Sequence, residues 1–221
     1  SAGSRKIFTW KLNKIAPASA YSAAGTSFEF ANLDDDQKTR LGQVPTLPAP
    51  VTTTNQQNLV AYIRGDKTNE GPFYRKRDVL LGDIVNSDPT YGGSVDFGYD
   101  SLPASEGGGS SYLSYLYAKK QGDQTLYVGA NDGMLHAFDA KTGAERFAFI
   151  PDGVINNLKY LADPTYPANH KYFVDGPVHY SDVYLGGAWK SYLVGATGAG
   201  GRSLFALDVT NAASFSSSNV K

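Results

Sequence analysis

Apolar residues and turn residues alternate most regularly between residues 125 and 151. Three short apolar, β-prone runs are separated there by two polar turns, Asn-Asp-Gly at 131–133 and a five-residue turn at 139–143 that begins with aspartate and ends with glycine. Glycine accepts the positive φ that tight hairpin loops require, and a turn aspartate accepts hydrogen bonds from backbone N–H groups. The pattern predicts an antiparallel meander of three strands. The predicted strands are residues 126–130, 134–138 and 146–150.

A second segment repeats the residue pattern of the first. Residues 192–196 correspond to the first strand and residues 203–208 to the second, and the turn between them is enlarged by glycines. Gly129 and Gly195 are 66 residues apart, since 195 − 129 = 66. Two tandem copies of one antiparallel unit predict blades of a β-propeller.

An apolar segment precedes each unit and predicts the inner strand of its blade. In the first blade this strand is expected within residues 78–91, where residues 79–85 are almost continuously apolar, as in a strand buried on both faces. In the second blade it is expected within residues 173–185. Each predicted strand ends at a double glycine. An insertion over residues 94–120 contains a predicted helix, and long insertions on a β scaffold often carry recognition surfaces.

The N-terminal third has a different pattern. Residues 6–10 predict an edge strand, and the Ala-, Ser- and Lys-rich residues 11–27 predict a surface loop. Two short helices follow. Asp34 with Gln37 predicts a capping box at the start of the first helix, and Thr54 with Gln57 predicts another at the start of the second.

The predicted fold class is all-β. We expect a partial, modified β-propeller with blades of antiparallel strands, short N-terminal helices and long loop insertions. Residues 1–75 are predicted to form an N-terminal extension with the two helices, and residues 76–221 the first propeller blades. The Ser- and Asn-rich residues 214–219 stand where a fourth strand of the second blade is expected, which is typical of a fragment of a larger protein.

Composition and net charge argue against several classes of function. The 20 basic and 21 acidic residues give a net charge of −1, and neither sign forms a long block. This balance argues against a nucleic-acid partner or a polybasic membrane patch. No run approaches the ~18 apolar residues of a membrane span. Cysteine is absent, which excludes a thiolate metal site and a cysteine nucleophile in these residues.

No catalytic constellation stands out. The histidines, His136, His170 and His179, lack metal-ligand spacing, and no serine lies in a nucleophile elbow. The three aspartates at 34–36 suit a helix N-terminus better than a cation loop, whose acidic residues alternate with spacers. We therefore predict no catalytic residue, no metal ligand and no cofactor in this chain.

One tripeptide has two interpretations. Arg64, Gly65 and Asp66 form the sequence that integrins recognise in other proteins. The same residues are also suited to ending a helix, with a cation at its negative end, a left-handed cap glycine and a polar turn residue. The tripeptide is thus a candidate adhesion site or a structural cap.

Four strings of sequence together resemble one family, the C-terminal propeller domain of the PilY family of type IV pilus proteins. The string at 127–138 is the most specific of them. The four strings are residues 62–66, 81–87, 127–138 and 195–210.

The resemblance implies an exported, non-enzymatic binding module on the surface or outer membrane of a Gram-negative bacterium, at the pilus tip. It implies roles in pilus assembly, twitching motility and adhesion. The implied partners are pilus-tip minor pilin subunits and host-cell receptors such as integrins. It also implies Ca²⁺ for the full-length family member, held in an acidic loop that has no counterpart in these residues.

Two alternatives remain. Quinoprotein dehydrogenases are similar in their propeller repeats, but they need a closed ring and an axial cofactor pocket that two blades do not provide. The other alternative is a periplasmic scaffold propeller with no link to pili.

Overall fold

The computed structural model describes residues 2–15, 20–71 and 73–221, which contain two β-sheets and four α-helices. The strands are β1 (Ile7–Ile15), β2 (Ala20–Ser27), β3 (Thr90–Gly92), β4 (Thr125–Gly129), β5 (Leu135–Asp139), β6 (Glu145–Ile150), β7 (Val178–Leu185), β8 (Ala188–Ala196) and β9 (Leu204–Asp208). The helices are α1 (Asp35–Leu41), α2 (Thr53–Ile63), α3 (Ser110–Gln121) and α4 (Leu158–Leu161).

The predicted meander is confirmed as the centre of the first sheet, whose strand order is β2-β1-β6-β5-β4-β3. The first turn closes through a 2.9 Å hydrogen bond from Ala130 N to the Met134 carbonyl, and Gly133 takes the expected positive φ of 96°. In the second turn, Asp139 accepts hydrogen bonds from the backbone N–H groups of residues 141 and 142, both at 2.9 Å. The positive φ and the aspartate hydrogen bonds that the sequence predicts for these two turns are therefore observed.

The second sheet has the order β7-β8-β9 and confirms the repeat. Gly186 and Gly187, at φ 64° and 80°, form the two-residue turn between β7 and β8. In place of a continuous fourth strand, residues 214–219 form short 3₁₀ turns, and Val220 bridges Leu207 of β9. The two sheets pack face to face across an aromatic core, with Tyr127 stacked on Tyr180 at 6.5 Å. This arrangement is that of adjacent propeller blades.

The predictions for residues 6–27 are wrong in part. β1 continues to Ile15 and lies between β2 and β6, so it is not an edge strand. Residues 11–15 and 20–27 belong to strands rather than to a loop, and residues 16–19 lie outside the described residues. Backbone hydrogen bonds pair these strands, and a run of small and polar residues gives no hydrophobic pattern by which to find them. The predicted boundary between residues 75 and 76 stays a prediction.

Helices α1, α2 and α4 pack against the first sheet and close a core around Ile7 and Ile150. The capping box at Asp34 is confirmed, because its side chain accepts from Gln37 N and the Gln37 side chain accepts from Asp34 N. The second predicted box is wrong: Thr52, not Thr54, is the N-cap of α2, accepting from Asn55 N at 3.1 Å.

The helix predicted within the insertion is confirmed as α3. Its Tyr112 is fully buried against Trp189 of the second sheet, with ring centroids 4.7 Å apart. Lys119, on the same helix, forms a 2.5 Å ion pair with the buried Asp182 of β7. The helix is thereby held on the second sheet by both apolar and ionic contacts.

The prediction of a buried strand at residues 79–85 is wrong. Within residues 78–92 only Thr90–Gly92 forms a strand, and residues 79–85 follow an irregular, bent path along the surface without a sheet partner. Val79 is 72% exposed and Val85 is 55% exposed. Residues 79–85 have the apolar composition of a core strand. However, no strand among the described residues lies where it could pair with them.

Candidate functional site

A cleft of about 380 Å³ lies where three of the four family-like strings meet. One wall is the end of α2, a second is the irregular segment from Arg75 to Gly82, and a third is the turn at Asn131 and Asp132. Tyr166 closes the remaining side with the Arg75 guanidinium above its ring, 4.9 Å from the centroid. Three of the four family-like strings therefore lie next to one another in the structure.

The polar residues of the first hairpin hold this irregular segment in place. Asp132 accepts a hydrogen bond from Gly82 N at 3.1 Å, and Asn131 donates from its side chain to the Asp83 carboxylate at 2.9 Å. Asn131 N also donates to the Asp83 carbonyl at 2.9 Å. A Cβ at Gly82 would lie 2.4 Å from Asp132 N, so only glycine permits this approach.

Two further anchors fix the end of the segment. Asn86 donates from its backbone and its side chain to Asp175, at 3.2 and 2.6 Å. Ser87 Oγ accepts from Gly129 N at 2.9 Å inside the protein. The Leu-Gly-Asp-Ile-Val-Asn-Ser string thus uses its polar members to bind the hairpin and the entry to β7, while its apolar members face outward.

Beneath the hairpin lies a buried ionic network. His136 is 1% exposed, and its two ring nitrogens lie 3.0 Å from Asp132 Oδ2 and 2.8 Å from Glu145 Oε1. Arg5 completes the network by donating to both carboxylate oxygens of Glu145, at 2.6 and 2.7 Å. These four side chains join the N-terminal segment, the first turn, β5 and β6.

The charges of the network stabilise one another. Burial alone would lower the pKa of His136, but the Asp132 and Glu145 carboxylates outweigh it and raise that pKa to about 9. Burial alone would raise the pKa of Glu145, but Arg5 and His136 lower it to about 2. The imidazole is therefore a cation at neutral pH, donating one hydrogen bond to each carboxylate.

The geometry of the cleft is suited to binding. His136 has both ring nitrogens occupied, and the Asp83 carboxylate is engaged by Asn131 and by His170 at 3.1 Å. Among the described residues no group of three or more His, Cys, Asp or Glu side chains is placed to hold a metal ion. The rest of the cleft lining combines the exposed charged side chains of Lys76 and Asp78 with the apolar side chains of residues 79–81.

The tripeptide Arg64, Gly65 and Asp66 forms the end of α2 beside the cleft. Gly65 N donates to the Tyr62 carbonyl and Asp66 N to the Ala61 carbonyl, each at 2.9 Å, with Gly65 at φ 105°. These are the two hydrogen bonds of a Schellman cap. The predicted cap role of Gly65 is confirmed.

The two charged members of the tripeptide are both partly exposed and make different contacts. The Arg64 side chain is 12% exposed and donates to the backbone carbonyls of Phe28 and Arg5, at 3.0 and 3.1 Å. Asp66 accepts a hydrogen bond from Thr68 N at 2.7 Å, and hydrogen bonding to the side chain and backbone of Thr68 lowers its pKa. Receptor binding by the tripeptide stays a prediction.

No sequence pattern predicts the ionic network. Asp132 lies in the first turn and His136 four residues later in β5, a spacing that points to contact only once the hairpin register is known. Glu145 comes from the next strand and Arg5 from 140 residues earlier. No local pattern links them.

The chain resembles known proteins over most of its length. A family model described as the PilY1 β-propeller domain matches residues 81–221. A type IV pilus biogenesis factor PilY1 homolog of Xylella fastidiosa is 47% identical over 183 residues, which are 76% of this chain and 12% of the relative. The type IV pilus biogenesis factor PilY1 of Pseudomonas aeruginosa strain PAK is 39% identical over 203 residues, which are 90% of this chain and 17% of the relative.

A solved structure also matches. The crystal structure of the Pseudomonas aeruginosa PilY1 C-terminal domain is 40% identical in sequence and covers 50% of this chain and 20% of its own, at a TM-score of 0.35. The present chain thus spans less than a fifth of the two relatives described above.

The fold and the cleft define a class of protein, a partial β-propeller with a surface suited to binding. Within that class the family match covers more than half of the chain. The chain belongs to the PilY1 β-propeller family. None of its described helices is both long enough and apolar enough to span a bilayer.

Proposed function

We propose that this chain is the binding part of a type IV pilus biogenesis factor and has no enzymatic activity. The family match, with relatives named as pilus biogenesis factors at 39–47% identity, carries the proposal. The cleft supports it, because two of its carboxylates, Asp83 and Asp132, are engaged in hydrogen bonds within the protein. In this proposal the protein is exported to the bacterial surface and acts at the pilus tip, where it promotes assembly, twitching motility and surface adhesion.

The pilus role is tested by removing the gene from its own bacterium. We expect the deletion strain to lose surface pili and twitching, and the wild-type gene to restore both. An Asn131→Ala variant, which loses the side-chain hydrogen bonds to the backbone N–H of Phe173 and to Asp83, should restore them poorly. A Thr54→Ala variant, altered at an exposed position on α2, should restore them fully. A deletion strain that assembles pili and twitches normally would show the proposal to be wrong.

The proposed partners are pilus-tip minor pilins and host-cell receptors such as integrins. Asp66 is partly exposed and its side chain bonds locally to Thr68 N, whereas Arg64 ties α2 to distant backbone, so Asp66 is the sharper probe of receptor binding. Asp66→Ala should reduce host-cell adhesion with a change of less than 2 °C in melting temperature. Asp123→Ala, at another surface aspartate whose side chain is 59% exposed, is the matched control. If the two variants adhere equally well, the tripeptide is a helix cap and not a receptor-binding site.

The proposed calcium dependence belongs to the full-length protein. It is tested by calorimetric titration of Ca²⁺ into the full-length protein with EGTA-treated protein as the reference. Heat of binding that saturates supports a calcium site elsewhere in the polypeptide, and its absence contradicts one.

A further inference from the structure

A second pocket, of about 360 Å³, lies between the two sheets and shares no lining residue with the cleft. One side is the C-terminal half of α3 and the start of β4, and the other is formed by β7, β8 and the turn after β9. Its rim is exposed at Ala118 and Asn211, whereas Tyr127 and Ser191 of its floor are buried. Pockets of about 300–1,000 Å³ with aromatic walls and a few fixed polar groups are the usual sites for small ligands.

A hydrogen-bond network fixes the tyrosines that line this pocket. Ser191 Oγ donates its single proton to the buried Asp182 carboxylate at 2.8 Å. The hydroxyls of Tyr180 and Tyr115 lie 2.7 and 2.8 Å from the same Ser191 oxygen, so both of them donate to it. Each tyrosine therefore keeps its oxygen lone pairs as hydrogen-bond acceptors and its ring as an apolar wall.

Within the described residues the pocket holds no unpaired charge. The charged side chains in its lining are Lys119 and Asp123. Lys119 Nζ forms an ion pair with Asp182 at 2.5 Å, and Asp123 forms one with Arg146 at 3.3 Å. A phosphate, carboxylate or ammonium group would lose its hydration here without meeting a free counter-charge, so the lining favours a neutral ligand.

The remaining hydrogen-bonding groups suit a ligand that carries hydroxyls. Thr125 lines the pocket, and its buried hydroxyl has no hydrogen-bond partner among the described residues, although buried polar groups are nearly always paired. At the rim, the Asn211 side-chain oxygen accepts from Ser214 N at 3.3 Å, which leaves its NH₂ group as a donor. Because a hydroxyl both donates and accepts, a polyhydroxylated ligand can pair with the amide donor and with the tyrosine acceptors.

We propose that this pocket binds a neutral sugar residue. The sugar hydroxyls accept from Asn211 and donate to the oxygens of Tyr115 and Tyr180, while an apolar C–H face of the sugar packs on the tyrosine rings. The inference is independent of the pilus role, because the pocket shares no residue with the cleft or with the tripeptide.

The test is saturation-transfer NMR on the full-length protein with glucose, galactose, mannose and N-acetylglucosamine as probes. We expect transfer to at least one of these neutral sugars and weaker transfer to glucuronate, whose carboxylate finds no counter-charge in the pocket. Ala118→Trp, which fills the exposed rim, should reduce the transfer about tenfold. Ser114→Trp, at an exposed position of α3 outside the lining, is the matched control and should bind as the wild type does.

A second variant covers the outcome in which the tryptophan disturbs α3. Asn211→Asp keeps the oxygen that caps Ser214 N and removes the NH₂ donor, so the transfer should fall while the melting temperature is unchanged. The proposal is overturned by the absence of transfer to every neutral sugar, by unchanged transfer to both pocket variants, or by stronger transfer to glucuronate than to glucose. A deletion strain with normal pili would affect the proposed function alone.

Discussion

The buried network around His136 makes the stability of the protein depend on pH in a predictable direction. The pKa of His136 is raised from 6.5 to about 9 by Asp132 and Glu145 against the effect of burial. Each pKa unit is worth about 1.4 kcal/mol, so the charged imidazole adds about 3 kcal/mol to the free energy of unfolding. This contribution is fully present below pH 6.5, where the folded and the unfolded protein both hold the proton. It is lost as the pH rises from 6.5 to about 9.

The network has an acid limit as well. Glu145 has its pKa lowered from 4.5 to about 2, chiefly by hydrogen bonding to Arg5 and His136 that overcomes the effect of burial. Its contribution is present above pH 4.5 and is lost as the pH falls towards 2. We therefore expect the contribution of these two groups to be greatest between pH 4.5 and 6.5.

The assay is urea unfolding between pH 5 and 9.5, followed by tryptophan fluorescence. His136→Gln keeps a polar side chain and removes the positive charge. Its destabilisation relative to the wild type should be about 3 kcal/mol larger at pH 6 than at pH 9.5. His179→Gln, at an exposed histidine of β7, is the control and should follow the wild-type curve. If His136→Gln and the wild type differ by the same free energy at every pH, the imidazole is not charged in the folded protein and the reasoning is refuted.

Three further predictions concern stability, measured as the free energy of unfolding in urea. Thr52→Ala should cost about 1 kcal/mol through loss of the α2 cap, while Thr54→Ala should be nearly neutral; the reverse order would contradict the observed cap. Gly129→Ala should lower the free energy of unfolding by about 1–3 kcal/mol, because its Cβ would lie 2.3 Å from the Val174 carbonyl oxygen. Gly3→Ala, with open space around it, should leave the free energy of unfolding unchanged. Lys119→Met should cost about 3–5 kcal/mol because it leaves a buried carboxylate unpaired, and a stable variant would refute that role.

The local sequence was sufficient to predict the two repeated units of strands and turns. Asn131, Asp132 and Gly133 specify a hairpin loop, and Asp139 and Asp208 specify the turns after matching strands, because turn geometry depends on residues within a few positions of one another. The same locality explains why the capping box at Asp34 was found, and the order of the strings was enough to indicate the family.

Tertiary structure decided the features that depend on distant partners. β1 is an internal strand because β6, more than 130 residues later, offers it an edge. Asp132 and Asn131 do more than turn the chain, since their side chains hold residues 82–83 in place.

The sequence by itself determined which segments of this protein have the composition of strands, turns and helix caps. Only the tertiary structure decided which of those strands are paired, which charges are buried together, and that residues 79–85, with the composition of a core strand, lie on the surface. The physical reason is that a turn or a cap satisfies its hydrogen bonds locally. A strand or a buried charge must find its partner in a segment whose position the intervening sequence does not reveal.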